Sequence, residues 1–348
     1  MNPLVSILIP AYNAQTTIAE TLRSALGQTW PQKEIIVVDD GSRDETPSIL
    51  RRFESRNVLV VRQPNQGAAA ARNKALSLSN GDYIQWLDAD DLLSPEKIAL
   101  QINASDECGS NAVVLSCAWG RFMYRASHAT FVPTPLWCDL APWEWLVRQM
   151  EHNIYMQTAT WLVSRGITEA AGPWDTRLLG DDDGEYFARV LLASKGTRFV
   201  PDAKVYYRMT GASSLSYIGH SDRKRDAQWL SMLLHIEYVR SVEDSPRARA
   251  ACVQYLQNWM VYFYPDRPDL FEKAQMLAGE FGGSITVPRL SWKYDWIRTL
   301  FGWPLARRAQ VTLPKLRWSL ARRYDRTVQK FGSRRHSVDA PVSSASIT

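Results

Sequence analysis

Residues 34–42 read EIIVVDDGS: four consecutive Ile and Val residues, then two carboxylates, then a glycine. A continuous apolar run of this kind, ended by turn-forming polar residues, fits a strand buried on both faces, as in a parallel sheet. The run from Val5 to Ile9 has the same character and stops at Pro10. Between the two, Ile18, Leu22, Ala25 and Leu26 recur at helical spacing, with Thr17 and Glu20 placed to form a capping box. Downstream, Thr46-Pro47 marks a helix start and Val58 to Val61 a third strand. Ala68 to Leu78 is an Ala-rich helix, Asn80-Gly81 a turn, Tyr83 to Leu87 a fourth strand, and Ser94-Pro95-Glu96 the start of another helix. This alternation predicts an α/β fold with a mostly parallel sheet flanked by helices on both faces. Ligands of such sheets bind beyond the carboxyl ends of the strands.

The polar clusters fall at those ends. Pro10-Ala11-Tyr12-Asn13 follows the first strand, Asp39-Asp40-Gly41-Ser42 the second, Asn65-Gln66-Gly67 the third and Asp88-Ala89-Asp90-Asp91 the fourth. Two carboxylates one residue apart repel unless a cation or ligand sits between them, and a hard divalent ion such as Mg²⁺ or Mn²⁺ suits oxygen ligands while leaving positions for phosphate. Asp88 and Asp90 are therefore candidate metal ligands; the competing reading is a solvated turn. A carboxylate at Asp39 or Asp40 can accept a hydrogen bond from a base N–H, or can belong to an ordinary Asp-Gly turn in which Gly41 lets the chain bend. Arg72, on the helix after Gly67, can stack on a base, meet a diphosphate, or lie on a solvated face.

Further along, Trp143 to Met150, Gly184 to Ala193 and most of Ala227 to Leu277 read as helical, and Thr158 to Val163 and Ala203 to Tyr207 as strands. The acids at Asp181 to Glu185 suit a helix N-terminus, and also suit base catalysis, since a positioned carboxylate can take the proton of a hydroxyl nucleophile. Among the 348 residues, the segment from Ser284 to His336 holds thirteen Lys or Arg against Asp295 and Asp325, about +11, while the whole chain carries +5. Trp292, Trp296 and Leu300 recur there at helical spacing beside Ile297, Phe301 and Trp303. Leu313, Leu316, Leu320 and Tyr324 form a second stripe amid Lys315, Arg317, Arg322, Arg323 and Arg326. Such helices either lie in a membrane interface against anionic lipid or pack on a domain with a basic outer face. No nucleic-acid motif accompanies the charge. Cys108, Cys117, Cys138 and Cys252 show neither zinc nor disulfide spacing, so a reducing compartment is expected. Neither a signal core nor a run long enough to span a bilayer is found, and the expected location is cytoplasmic, peripheral on the inner face of the cell membrane.

The strings VSILIPAYNA, VVDDGSRDET, NQGAAAARN and YIQWLDADD, in this order over residues 4 to 100, resemble the nucleotide-binding half of family 2 glycosyltransferases. The resemblance continues through GPWD at Gly172 to Asp175 and DDDGEYFAR at Asp181 to Arg189, and leaves the C-terminal third unmatched. It implies an inverting GT-A enzyme with a helical C-terminal extension, using a nucleotide-diphosphate sugar, a UDP-sugar by preference, and a divalent metal (Mn²⁺ or Mg²⁺). It implies donor contacts from Pro10, Tyr12, Asn13, Asp39, Asp40, Asn65, Gly67, Arg72, Asp88, Ala89 and Arg208, and metal ligation by Asp90 and Asp88. Asp40, with Asp39 beside it, would sit at uracil and ribose. The acids near residue 182 correspond to the family's Glu-Asp motif, whose Asp is the base. Alignment through Arg189 puts that base at Asp183 and an Asp, Asp182, where the family has Glu, with Glu185 a third candidate. Arg208 could meet phosphate, and His220 the metal. The QxxRW motif of the processive synthases is not found, which implies transfer of one sugar to a glycan or lipid-linked glycan. The rival readings are a sugar nucleotidyltransferase, which would show a Gly-rich basic loop where Ala11 to Thr17 has none, and a binding module that kept the fold. The expected division is a GT-A domain over 1–219, a helical region over 220–285, a basic amphipathic segment over 286–331 and a disordered tail over 332–348.

Overall fold

In the computed structural model, which describes residues 2–108, 112–209, 221–288, 290–310 and 313, Val5–Ala11 (β1) is buried along nearly its whole length and forms the middle of the parallel part of the sheet. Helix α1 (Ile18–Leu26) leads to β2 (Lys33–Asp39), α2 (Thr46–Arg51) to β3 (Val58–Arg62), and α3 (Ala68–Ser77) to β4 (Tyr83–Trp86). The strands pair in parallel in the order β3-β2-β1-β4, with Ala11 beside Asp39 and Asp39 beside Arg62. This register brings the ends of β1, β2 and β3 to one edge, as expected for apolar runs linked by helices. The capping box does not form: Thr17 makes no side-chain cap, and its hydroxyl donates instead to the Ala14 carbonyl at 3.3 Å.

After β4 the sheet grows in the antiparallel sense. β5 (Leu92–Leu93), α4 (Lys97–Cys108), β6 (Val114–Phe122), β7 (Thr130–Phe131), α5 (Pro142–His152), β8 (Leu162–Ser164), α6 (Arg165–Ala171), α7 (Asp182–Leu192) and β9 (Thr197–Arg208) follow in the chain. β8 inserts beside β4 and runs against it, and β6, β9 and β5 complete the order. The parallel pairs β1–β2, β1–β4 and β2–β3 all lie in the first ninety residues. Of the predicted strand over 158–163, Thr158–Thr160 is a 3₁₀ turn and β8 begins at Leu162. Helices α8 (Asp222–Val242), α9 (Pro246–Phe263) and α10 (Pro268–Glu280) follow, with α8 packed on α7 and α9 on α5. They fall in the same unit as the sheet, which comprises residues 1–120, 131–207 and 213–289.

A polar chain beneath the sheet holds the 3₁₀ turn. The amide of Gln85 donates to the Ala159 carbonyl at 2.8 Å, and that of Gln101 to the Thr160 carbonyl at 3.0 Å. Lys97, fully buried, donates its Nζ to Gln85 Oε1. Burial lowers the Lys97 ammonium to about 8, opposed by the nearby Cys117 thiol. The folded pKa lies below the unfolded one, so the charge penalty is full below pH 8 and disappears as pH rises through 8 towards 10.5. Lys97→Met is therefore expected to stabilise the protein near pH 7, by up to about 3 kcal/mol, with the advantage shrinking by pH 10. Urea unfolding of both proteins at several pH values reads this; a gap that stays constant with pH would contradict a buried, titrating Lys97.

The second unit comprises, among the described residues, 121–130, 208–209, 290–310 and 313. Helix α11 (Asp295–Phe301) stops at Gly302, whose φ is +82°, and a further helix runs over 303–310. Leu290, Ile297 and Ala306 form a small core with Tyr294 and Trp303. Trp292, Trp296, Leu300 and Phe301 stand exposed. The second apolar stripe, beyond Leu313, and the tail lie outside the described residues, as does His220.

Candidate active site

The loops after β1, β2 and β3 are tied to one another by their own side chains. Asn13, in the left-handed region at φ 48°, donates its N–H to Ser42 Oγ at 2.9 Å and accepts from the Arg43 N–H at 2.9 Å. Asp40 is nearly fully buried and both its oxygens are taken. Oδ1 accepts from Gln63 Nε2 at 2.8 Å and the Gln66 N–H at 2.9 Å, Oδ2 from the Gly67 N–H at 2.8 Å, while Asn65 Nδ2 donates to the Asp40 carbonyl at 3.0 Å. Gly41 has φ +74° and a Cβ there would lie 2.9 Å from the Asn65 N, so the two loops close only around glycine. Gly67 has φ +92° but open space around it, so the backbone there stays approachable.

Asp39 differs from Asp40. Its Oδ1 accepts from the Ser42 N–H at 3.0 Å. Its Oδ2 is buried, lies 3.3 Å from Arg62 Nε, and accepts no hydrogen bond among the described residues. A buried carboxylate oxygen left without a donor is costly, and a ligand N–H offered there is well received. Pro10 does not stop β1, which pairs on through it to Ala11, and the Tyr12 ring beyond is exposed.

At the end of β4, Asp88, Ala89 and Asp90 are partly exposed, and the Ala89 carbonyl accepts from Thr21 Oγ1 at 3.0 Å. Arg72 is not on a solvated face: it is buried, donating Nη2 to Asp88 Oδ1 at 2.8 Å and Nη1 to Asp182 Oδ2 at 2.6 Å. Its guanidinium lies 4.3 Å over the Trp174 ring, which stacks on Tyr186 at 4.0 Å and meets Trp86 edge-on at 5.1 Å. Burial works against the Arg72 charge, but the carboxylates of Asp182 and Asp88 outweigh it and hold the guanidinium above its ordinary range. One fork thus joins the acid of the fourth strand end to the acid of α7.

Of the three acids that begin α7, each has a different setting. Asp181 accepts from Ser231 Oγ at 2.7 Å. Asp182 belongs to Arg72. Burial raises its carboxyl, Arg72 opposes this, and Asp88 adds to it. Asp183 accepts from Thr158 Oγ1 at 3.1 Å. Burial, then the charges of Asp182 and Asp181, push it up to about 7. Glu185 is removed as a base candidate by its contacts: it is buried, paired with Arg189 at 2.7 Å, and accepts from the Tyr238 hydroxyl at 2.6 Å. Arg189 in turn donates to the carbonyls of Ala171 and Pro173, and Asn73 exchanges two hydrogen bonds with the Trp174 backbone at 2.9 and 2.8 Å. The GPWD segment is thereby clamped between α3 and α7 with its Trp under Arg72. Asn73, Trp174 and Arg189 stand in the motifs singled out in the sequence without having been given roles; Gln157 and Thr158 carried no signal at all. Arg208 belongs to the second unit, where its guanidinium lies 4.5 Å over the Phe122 ring.

A divalent ion would find hard oxygen donors at Asp90 and Asp88, and no described group of three or more His, Cys, Asp or Glu side chains could hold one alone. These hard oxygens fit an ion completed by diphosphate and water oxygens, the usual manner of Mg²⁺ at phosphate sites.

A parallel α/β half that gathers acids at its strand ends, extended by antiparallel strands and an acid-bearing helix, defines the GT-A scaffold. The Staphylococcus aureus TarS fragment 1–349, solved in complex with UDP-GlcNAc, superposes with a TM-score of 0.64 at 20% identity, covering 80% of this chain and 80% of that one. Within that class, residues 6–130 match the family model of Glycosyl transferase family 2. An uncharacterized glycosyltransferase of Rickettsia typhi is 36% identical over 134 residues, 38% of this chain and 42% of the relative. WfaP of Escherichia coli, a UDP-Glc:α-D-GlcNAc-diphosphoundecaprenol β-1,3-glucosyltransferase, is 44% identical over 101 residues, 29% of this chain and 40% of the relative. The chain thus spans about two fifths of the length of these curated relatives. No described helix is long and apolar enough to cross a membrane.

Proposed function

We propose that the chain transfers a single sugar, with inversion, from a UDP-sugar to a hydroxyl of a glycan or lipid-linked glycan in the assembly of a cell-surface polysaccharide. The carrying observation is the Arg72 fork, which sets the acid of the donor motif and the acid-rich start of α7 within one cluster although 110 positions separate Asp182 from Arg72. In this reading Asp39 takes the base N–H on Oδ2, which has the Arg62 ion pair but no described hydrogen-bond donor, and Asp40 serves the site by fastening the loop around it. Arg72 faces the diphosphate. Asp183 accepts the acceptor's hydroxyl proton as the new C–O bond forms and the bond from the sugar carbon to the diphosphate breaks. Asp90 and Asp88 would hold a Mn²⁺ or Mg²⁺ ion, whose chemistry is to neutralise charge on the leaving diphosphate. One base on the face opposite the leaving group gives inversion.

Thermal unfolding with UDP, GDP, dTDP and CMP, each with and without Mn²⁺, tests the donor site without knowing the acceptor. The expected result is a manganese-dependent rise with UDP that is lost in Asp90→Ala and in Asp39→Ala. No rise with any nucleotide would overturn the reading in favour of a fold that binds no donor.

A lipid-linked acceptor would place the protein at a membrane. The exposed Trp292, Trp296, Leu300 and Phe301, with Lys293 and Arg298 on the same short helical segments, support contact with an anionic surface. Co-sedimentation is expected with vesicles containing phosphatidylglycerol and not with phosphatidylcholine alone, and to be lost in Trp292→Glu/Trp296→Glu. Equal pelleting of the double variant would contradict it.

A further inference from the structure

The loop between α5 and the 3₁₀ turn presents an aromatic ring beside the acids, and nothing in the donor half accounts for it. Tyr155 is 45% exposed. Its ring lies 5.4 Å from that of Trp119 on β6 at an interplanar angle of 33°, and Trp119 meets Tyr207 of β9 edge-on at 5.8 Å. Trp119 is almost fully buried, so it forms a rigid backing. The loop is fixed on both sides of Tyr155. Asn153 closes α5 in the left-handed conformation at φ 50°, and the Ile154 N–H donates to the Gln149 carbonyl at 3.2 Å. On the other side, Gln157 donates its amide to Asp91, the residue after Asp90, and Thr158 donates to Asp183 at 3.1 Å. The Tyr207 hydroxyl, raised by burial, also feels Tyr155, Asp91, Asp90 and Asp88, which puts the aromatic group at the edge of the acid cluster.

We propose that Tyr155, backed by Trp119 and Tyr207, is an acceptor subsite that takes the apolar face of a pyranose ring. A pyranose presents C–H bonds on one face and hydroxyls around its rim. A half-exposed, pre-positioned aromatic ring matches the face, and the hydroxyls are left to polar partners such as Asp183. The loop ties Tyr155 to both motifs at once, so a sugar stacked there is registered against the base without rearrangement, which is where binding energy is best used. This subsite rests on the glycosyl-transfer reading above, and the test separates the two.

Saturation-transfer NMR with methyl β-D-glucopyranoside and methyl α-D-N-acetylglucosaminide, in the presence of UDP and diamagnetic Mg²⁺, reads contact between protein and sugar C–H groups directly. Transfer is expected in the wild type and in Tyr155→Phe, and is expected to fall to baseline in Tyr155→Leu, which keeps apolar bulk against Trp119 but lacks the ring. The UDP-induced thermal rise is expected in all three, which shows that each folds and holds donor. Undiminished transfer in Tyr155→Leu, or none in the wild type, overturns the subsite while leaving the donor reading intact; loss of the UDP response in the wild type strikes the donor reading instead.

Discussion

Asp183→Asn is expected to abolish most sugar transfer, a fall in kcat of about 10²–10⁴-fold for loss of a general base, with the UDP-induced thermal rise retained. The asparagine keeps the shape at the start of α7 and can still accept from Thr158, so binding is spared and proton acceptance is not. The wild-type profile carries the same signature. Asp183 is pushed up to about 7 by burial first and then by Asp182 and Asp181, so kcat/KM is expected to rise as pH climbs through 7, when the free enzyme's carboxyl ionises. Asp181→Asn removes one of the repelling charges and is expected to shift that limb to lower pH. The stability consequence has the opposite sense. A folded pKa of about 7, above the ordinary 3.8 of the unfolded chain, means that the carboxyl costs nothing below pH 3.8 and progressively more as pH rises to 7. Asp183→Asn should therefore be the more stable protein at pH 8, by up to about 4 kcal/mol. Near-normal transfer by Asp183→Asn would move the base elsewhere, and a profile flat across pH 7 would remove its titration from the rate.

The parallel half was legible because each of its strands is an unbroken apolar run ended by polar residues. That pattern has one physical reading, and the register of Ala11, Asp39 and Arg62 follows from it. Legibility failed where a role depends on a distant partner. Asp39 and Asp40 look alike in the string VVDDGS, and only the Gln63–Gly67 loop, folding back on Asp40, fills both oxygens of one while Oδ2 of the other keeps just the Arg62 ion pair among the described residues. Arg72 on an Ala-rich helix carries no local sign of burial, because its partners Asp182 and Trp174 lie about a hundred residues on. Glu185 read as a possible base until Arg189 and Tyr238 closed around it. β8, three residues long and set between β4 and β6, is too short for its periodicity to speak, and the Thr158 that precedes it gains its meaning only from α7.

Arg72→Met is expected to cost both the fold and the chemistry. Burying a charged fork is tolerable only because two carboxylates and an aromatic face receive it. Removing the guanidinium leaves Asp88 and Asp182 close together beside Asp183, and breaking a buried pair in this way typically costs about 3–5 kcal/mol. Part of that loss is recoverable. Arg72→Met/Asp182→Asn removes one of the two stranded charges, so its unfolding midpoint in urea is expected above that of Arg72→Met alone. Transfer should remain lost in the double variant, since the diphosphate still lacks its cation. Arg72→Lys separates charge from geometry: a single ammonium cannot reach two carboxylates as a planar fork does, so most of the stability should return without the full rate. The pH behaviour distinguishes this account from simple cavity formation. Without Arg72 the stranded acids take up protons more readily, so the deficit of Arg72→Met should narrow as pH falls from 8 to 5, whereas a cavity would cost the same at both. A deficit independent of pH, with no recovery in the double variant, would make Arg72 a packing residue over Trp174 and leave the joining of the two acid motifs to something else.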